Sequence, residues 1–349
     1  MTKIKALALF SGGLDSILAS RLIIAQGIEV QAIQFVTPFF NYGILADPEG
    51  HRERIRQKYG IEVLVEDISE GYLRLLHRPA HGFGKNFNPC IDCKIMMFSR
   101  AREMLAERGA SFLISGEVLG QRPMSQRRDT MNVIERDSGT RGLLLRPLCA
   151  RLMSETLAEQ RGWVDRSRLL AMSGRGRSAQ IALAAEFGIT DFPAPAGGCI
   201  LADPILSRRV ERLYNGNSLL QTVEISVADV RMLLVGRQFV LPGGGWLIIG
   251  RDERENNKLM ELADPEDAVL LMEEWPGPVG VLKKAAASYA DPGDLALACH
   301  QAAAIVVRYG KKQPPGKRQG EVTCTFGGAR QLIAAEPLAD EIFQPWAMM

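Results

Sequence analysis

Ala6-Leu7-Ala8-Leu9-Phe10-Ser11-Gly12-Gly13-Leu14-Asp15-Ser16-Ile17-Leu18 decides the fold, because an apolar run, a paired-glycine turn and an apolar helical stretch follow one another directly. The run before Ser11 reads as a short buried strand, and residues 15–26 read as a helix. Two adjacent glycines let the backbone approach a charged ligand, and the amides of the turn and of the helix's first turn present donors to an anion. The hydroxyls of Ser11 and Ser16 add two more. Asp15 is the odd member, since a carboxylate repels phosphate unless Mg²⁺ or a developing positive group lies between them. The Walker lysine is missing, and no G-x-G-x-x-G follows the first strand. The stretch reads as a nucleotide-phosphate loop that also does chemistry.

Outward from this loop, strand-like and helix-like segments alternate: strands over 5–10, 29–35 and 62–67, helices over 15–26 and 48–59. A long amphipathic helix is expected over 94–108 after Asn88-Pro89, then a strand over 111–115. This alternation predicts an α/β fold, a doubly wound and mostly parallel sheet with ligands at the carboxyl ends of its strands. Gly174-Arg175-Gly176-Arg177 opens a further helix over 178–187. Beyond Leu213 the period changes to two, and the runs 237–241 and 246–250 flank the turn Pro242-Gly243-Gly244-Gly245. That is a hairpin signature, and it opens a smaller α+β domain. The expected domains are 1–207 and 213–328, with a C-terminal tail over 329–349.

With 349 residues and 46% hydrophobic content, the chain can bury a sizeable core. No apolar stretch reaches about 18 residues without a charge, and no signal-peptide anatomy precedes the first strand, so a cytoplasmic protein with no membrane partner is expected. The net charge of +2 hides basic groups at Arg122 to Arg128, Arg175 to Arg177, Arg208 to Arg212 and Lys311 to Arg318. Such clusters suit RNA, or simply a solvated face.

Of six cysteines, Cys149, Cys299 and Cys324 lie in apolar or alternating runs and read as core. Asn88-Pro89-Cys90-Ile91-Asp92-Cys93-Lys94 sets two thiols at C-x-x-C spacing, and Cys199 occupies its own Gly/Pro-rich loop after Pro193-Ala194-Pro195-Ala196-Gly197-Gly198. Several chemistries compete for these thiols. Three thiolates can hold an iron–sulfur cluster with one iron open to substrate sulfur. Alternatively, one thiol carries a persulfide that another resolves without metal. His77, His81, Cys90 and Cys93 have the spacing of a closed zinc site, which leaves Cys199 unexplained. Reduced buried cysteines are the plainest reading, and the cluster is the favoured one.

Ser11 to Ser16 resembles the pyrophosphate (PP) loop of the ATP pyrophosphatase superfamily, whose members cleave ATP between the α and β phosphates. Together with Asn88–Lys94, Ser115-Gly116-Glu117-Val118-Leu119-Gly120-Gln121, Leu145-Arg146-Pro147-Leu148 and Pro195–Cys199, the order of motifs is similar to the tRNA uridine thiolases of the 4-thiouridine and 2-thiouridine synthetase group. The resemblance implies an adenine nucleotide alpha hydrolase-like fold, ATP and Mg²⁺, and a uracil carbonyl oxygen adenylated before sulfur replaces it, with 4-thiouridine favoured. It implies tRNA and a sulfur donor, a cysteine desulfurase or sulfide, as partners, and it allows a homodimer. Implied ATP contacts are Ser11, Gly12, Gly13, Asp15, Ser16, Phe35, Gly116 and Gln121. Asp15, Cys90, Cys93 and Cys199 become the catalytic set, the three cysteines as ligands of a 4Fe–4S cluster. Arg122, Arg175 and Arg177 would face RNA. The chain begins at the loop, so the tRNA-binding module that usually precedes it in 4-thiouridine synthetases is expected to be absent.

Val235–Phe239, Ile248–Asn256 and Val306–Gly310 resemble the RNA-binding domain of NFACT-type proteins. On that resemblance Arg237, Arg251, Lys283, Lys284, Arg308, Lys311 and Lys312 become candidates for phosphate contacts. Two rival functions remain: ATP-dependent amide or amidine formation on a small metabolite, and a non-catalytic ATP-responsive RNA-binding protein. His51 and His300 have no partner in the sequence that would give them a role.

Overall fold

The computed structural model describes residues 4–194, 199–215, 225–311 and 319–348, in two compact units, 1–202 and 203–349. The first unit runs β1 (Lys5–Leu9), α1 (Leu14–Ile24), β2 (Glu29–Val36), α2 (Pro48–Tyr59), β3 (Glu62–Asp67), α3 (Ser69–His77), α4 (Cys90–Glu107) and β4 (Phe112–Ser115). It continues through α5 (Arg128–Asp137), β5 (Leu144–Leu145), the single turn α6 (Leu157–Gln160) and α7 (Ser178–Glu186). Its five strands are ordered β3-β2-β1-β4-β5, and every neighbouring pair is parallel.

β1 lies mid-sheet and is apolar on both faces, as a strand covered on both sides must be. Ala6 and Ala8 face Ile17, Leu18 and Leu22 of α1 and Leu183 of α7. Leu7 points the other way, joining Ile33 and Leu113 against Phe98 and Met104 of α4 and Ile134 of α5. The expected doubly wound arrangement is thus present, with helices on both faces.

One boundary differs in a way that moves chemistry. The helix expected from Lys94 begins at Cys90, with Pro89 in the capping position and its carbonyl accepting from the Cys93 amide at 2.8 Å. Both thiols of the C-x-x-C therefore ride on the first turn of α4.

The second unit comprises α8 (Pro204–Tyr214), α9 (Val227–Leu233), β6 (Arg237–Val240), β7 (Trp246–Ile249), α10 (Glu253–Leu262), β8 (Ala268–Met272) and β9 (Gly280–Lys283). There follow α11 (Ala285–Ser288), α12 (Pro292–Tyr309), β10 (Gly320–Phe326), β11 (Ala329–Ala335) and α13 (Asp340–Phe343). Its sheet is antiparallel throughout, ordered β11-β10-β8-β9-β7-β6, with Ala302, Ile305 and Val306 of α12 packed into its core. The expected β6–β7 hairpin is there.

The expected tail over 329–349 is not a tail. Gly327 and Gly328, at φ 55° and 79°, supply the two left-handed positions of a tight hairpin turn, so β11 folds back along β10 in seven paired positions. Phe343 then closes the core against Phe239 and Tyr309. No helix among the described residues is long and apolar enough to cross a membrane.

Candidate nucleotide and thiol site

The loop after β1 is held by its own side chains. Ser16 Oγ donates to the Gly13 carbonyl at 2.7 Å and accepts from the Ser11 amide at 3.3 Å, while the Gly13 amide donates to Ser11 Oγ at 3.3 Å. Gly12 sits at φ +77°, a left-handed conformation that glycine adopts without strain. The loop is closed from the side by the end of β4: a Cβ on Gly116 would lie 2.5 Å from the Asp15 carbonyl carbon and 2.5 Å from the Ser16 nitrogen. Gly116 is thus a contact of the loop's backbone, needed because nothing larger fits.

Asp15 faces the loop's neighbours. Gln121 Nε2 donates to its Oδ2 at 3.1 Å, while Oδ1 is buried with no hydrogen-bond partner among the described residues. Burial raises the carboxyl pKa against the pull of Gln121, Arg177, Gln180 and Arg122. Arg177 arrives because the Gly174 amide donates to the Leu119 carbonyl at 2.8 Å, tying the start of α7 to the loop after β4. Arg122 and Arg177, expected to face RNA, also draw the Asp15 pKa down; Arg122 and Arg175 are exposed and Arg177 is half-buried. A buried carboxylate oxygen without a donor, flanked by two guanidiniums, fits a Mg²⁺-bound polyphosphate.

Sequence reasoning missed a second polar group at this loop. Gln34 is 2% exposed on β2, its Oε1 lies 2.8 Å from His51 Nε2, and its Nε2 lies 3.4 Å from where a Cβ on Gly12 would stand. A lone amide within the apolar strand Ala32-Ile33-Gln34-Phe35-Val36 was the available signal. Phe35, the next residue, points to the opposite face and belongs to the core with Phe98 and Met104. Its side chain is a packing residue.

The three thiols lie at the same edge of the sheet. Cys199 Sγ is 3.9 Å from the carbonyl of Phe39, just beyond the carboxyl end of β2, and Phe39 packs on Tyr72 with ring centroids 5.4 Å apart. Tyr72 hydrogen-bonds to Cys93, and Asn88 Nδ2 approaches Cys90 Sγ at 3.3 Å. Burial pushes the Cys93 thiol up to about 12, with a further upward push from Cys199, and burial pushes Cys199 up to about 11, with a further push from Cys90. The three sulfurs thus sense one another electrostatically.

No three His, Cys, Asp or Glu side chains among the described residues are placed to hold a single metal ion. The zinc alternative also loses His81, whose Nε2 is 2.9 Å from Asp137 Oδ2. Three half-buried thiols, two of them, Cys93 and Cys199, pushed up by burial, with no acidic or histidine ligand among them, suit a multinuclear iron–sulfur centre better than one ion, because such a centre stabilises thiolates and separates their sulfurs. Residues 195–198, the start of the Cys199 motif, lie outside the described residues.

A buried ion network joins the thiol helix to the nucleotide loop. Lys94, next to Cys93, approaches Glu117 Oε1 at 3.2 Å, and Arg146 Nε donates to Glu117 Oε2 at 2.9 Å. Arg146 NH1 also contacts Glu135 of α5. Arg146 and Glu117 are 2% and 3% exposed. Burial alone would raise the Glu117 pKa, but Lys94 and Arg146 hold its carboxyl below the ordinary value. Three of the recurrent motifs meet here through Lys94, Glu117 and Arg146, and Glu117 follows directly on Gly116.

In the second unit most of the candidate RNA contacts are occupied. Lys283 is 1% exposed and bound by Asp264 at 2.6 Å, Asp267 at 3.0 Å and Asp229 at 3.6 Å, so it is a buried structural cation and the expectation of a phosphate contact fails. Arg237 lies 4.3 Å from the Tyr309 ring centroid and donates to the Gly250 carbonyl at 3.1 Å. Arg251 pairs with Glu255, and Arg308 pairs with Asp340 through two bonds of 3.0 and 2.9 Å. Lys284 takes a left-handed backbone at φ 44°, and Lys311 is exposed. Lys312 lies outside the described residues.

Residues 1–157 match the family model described as thiamine biosynthesis protein (ThiI). The amino-terminal part is ThiI-like. Residues 236–347 match the model of the NFACT protein RNA binding domain, so this ThiI-like part is followed by an NFACT-R-like part. A protein of Lactobacillus gasseri named "Probable tRNA sulfurtransferase" is 29% identical over 178 residues, 47% of this chain and 39% of its own length. One of the same name from Methanosarcina mazei is 30% identical over 128 residues, 34% of this chain and 29% of its own. The chain thus spans about a third of the curated relatives it matches. A 4-thiouridine synthetase solved as an RNA complex with bound ATP is 22% identical, with a TM-score of 0.40, over 57% of this chain and 45% of that one.

Proposed function

We propose that the protein is an ATP-dependent tRNA uridine thiolase that acts in the cytoplasm. The observation that carries this reading is the placement of a phosphate loop and three converging thiols at the carboxyl edge of one parallel sheet, joined by a buried ion network. The ThiI match supports it, as does the sulfurtransferase name of the relatives. An amide or amidine ligase would have no use for the thiols.

Oxide is a poor leaving group, so the uracil oxygen must be activated before sulfur can replace it. It attacks the α phosphorus of ATP, preferably the oxygen at position 4, and pyrophosphate departs. The Gly12 amide meets the phosphates, and the Gly13 amide and the Ser11 and Ser16 hydroxyls turn to them from the hydrogen bonds they make within the loop, with Arg122 and Arg177 opposing the charge that builds on the phosphate oxygens. Asp15 Oδ1 is the atom free to bind Mg²⁺, while Gln121 fixes Oδ2. Sulfur then forms the bond to carbon and AMP leaves with the former uracil oxygen.

Cys90, Cys93 and Cys199 would hold a 4Fe–4S cluster, which when bound supplies an iron open to substrate sulfur. Tyr72 donates to Cys93 and keeps it oriented, and Phe39 and Tyr72 exclude water. The sulfur reaches the site from a cysteine desulfurase or as sulfide, and the NFACT-R-like part offers a second hold on tRNA.

Thionucleoside mass spectrometry of tRNA incubated with enzyme, ATP and a sulfur source tests the reading, together with tRNA-dependent pyrophosphate release. Asp15→Ala should keep tRNA binding and lose both activities. Full activity in that variant removes Asp15 from the site, and ATP binding without tRNA-dependent turnover refutes the enzyme.

A further inference from the structure

Seven residues before Cys90 the chain exposes an aromatic ring. Phe83 is 39% exposed and the only exposed phenylalanine among the described residues, and it stacks on the buried Phe87 with centroids 4.1 Å apart and planes 20° from parallel. One face of Phe83 is therefore backed by protein and the other is open.

The loop bearing it is pinned at several points. The Ala80 and His81 amides donate to the two oxygens of Asp92 at 3.0 Å each, which fastens the loop to α4 inside the C-x-x-C itself. Asn86 Nδ2 donates to the Ala202 carbonyl at 2.7 Å. The Gly84 amide donates to the Asn88 carbonyl at 3.0 Å, and Asn88 Nδ2 reaches Cys90 Sγ at 3.3 Å. Phe83 is thus linked through Gly84 and Asn88 to a thiol. Two cations on the same loop, Arg78 and Lys85, are exposed and have no acidic partner among the described residues.

A π-face on a pinned loop that also carries unpaired cations is the combination that seats single-stranded nucleic acid, with stacking for the base and charge for its phosphates. Chemistry on a base in a folded RNA requires that base to leave its stack and be received elsewhere. We propose that Phe83 is the stacking platform for the uracil to be thiolated, with Arg78 and Lys85 taking the flanking phosphates. This rests on the thiolase reading for the identity of the base, and it assigns Phe83 a substrate-positioning role.

The full chain and its Phe83→Leu and Phe83→Trp variants are compared on three readouts. The first is ultraviolet cross-linking to tRNA carrying 5-iodouridine in place of uridine, with the adduct mapped by peptide mass spectrometry. The second is kcat/KM for thiolation, and the third is ATP binding by calorimetry. Stacking contributes about 1–3 kcal/mol per base, so Phe83→Leu should lower kcat/KM by about 5- to 150-fold and lose the adduct in the peptide containing residue 83. Phe83→Trp should keep activity within a few-fold and retain the adduct, and ATP binding should not change in either.

Phe83→Leu with wild-type kcat/KM and undiminished cross-linking overturns the platform. A wild-type enzyme that makes no thionucleoside refutes the thiolase reading instead. In that event cross-linking alone decides whether Phe83 receives a base, and its absence overturns the proposal.

Discussion

Replacing Gly116 with alanine tests whether the nucleotide loop is built by the close approach of two backbones. The added Cβ would stand 2.5 Å from the Asp15 carbonyl carbon, 2.5 Å from the Ser16 nitrogen and 2.6 Å from the Asp15 oxygen, closer than carbon tolerates in folded proteins. All three neighbours are main-chain atoms, so no rotamer change relieves the overlap and β4 must separate from the loop. Overpacking of this kind costs about 1–3 kcal/mol. The atoms displaced belong to the loop's own backbone, so the same strain should weaken ATP binding by about 5- to 150-fold. Urea unfolding and isothermal titration calorimetry read the two effects. Gly43→Ala, where nothing lies within 4 Å, is the control. Because the clash is with backbone, adding Asp15→Ala should not restore the urea midpoint. A Gly116→Ala protein with wild-type midpoint and wild-type ATP affinity would refute the argument.

Arg146→Met leaves Glu117 with Lys94 alone and should cost about 3–5 kcal/mol in urea unfolding, while Arg146→Met combined with Glu117→Leu should cost clearly less than the sum of the single changes, which additive costs would contradict. Lys283→Met abandons three aspartates and should destabilise the protein by a similar amount without altering the salt dependence of RNA binding; a shallower slope of log affinity against log salt would restore Lys283 as a phosphate contact. Asp15→Asn should stabilise the nucleotide-free protein. Burial raises the Asp15 pKa, so the folded state holds that proton more tightly than the unfolded one, and wild-type stability falls as pH rises from the ordinary carboxylate value through the raised one. The variant should lack that fall, and identical pH profiles of the urea midpoint would count against a buried Asp15.

What the sequence revealed and concealed follows the range of the interactions. β1, its loop and α1 were legible because an apolar run, two glycines and a helical period are local signals, and the parallel sheet followed from the spacing of further runs. Cys90 was placed outside its helix because the amphipathic pattern only becomes evident after Lys94, although Pro89 already marks the start. β11 was read as a tail since its side chains are mostly exposed and carry little alternation, while Gly327-Gly328 was the turn signal to weigh. Lys283 was misassigned by sign alone, and its partners lie 16, 19 and 54 residues away. The ion network was equally hidden, because nothing local to Lys94 specifies that its charge will meet Glu117.

The strand order carries a consequence for synthesis. β1 is flanked by β2, which follows it at once, and by β4, which the ribosome makes about 100 residues later. At about 5–20 residues per second, roughly 5–20 s pass between the emergence of Gly13 and that of Gly116. Throughout that interval the nascent chain displays one side of β1 as an open edge of Ala-Leu-Ala-Leu, and the loop lacks the wall that shapes it. An unpaired edge of this kind is a template for pairing with another chain, so aggregation is a hazard until β4 arrives.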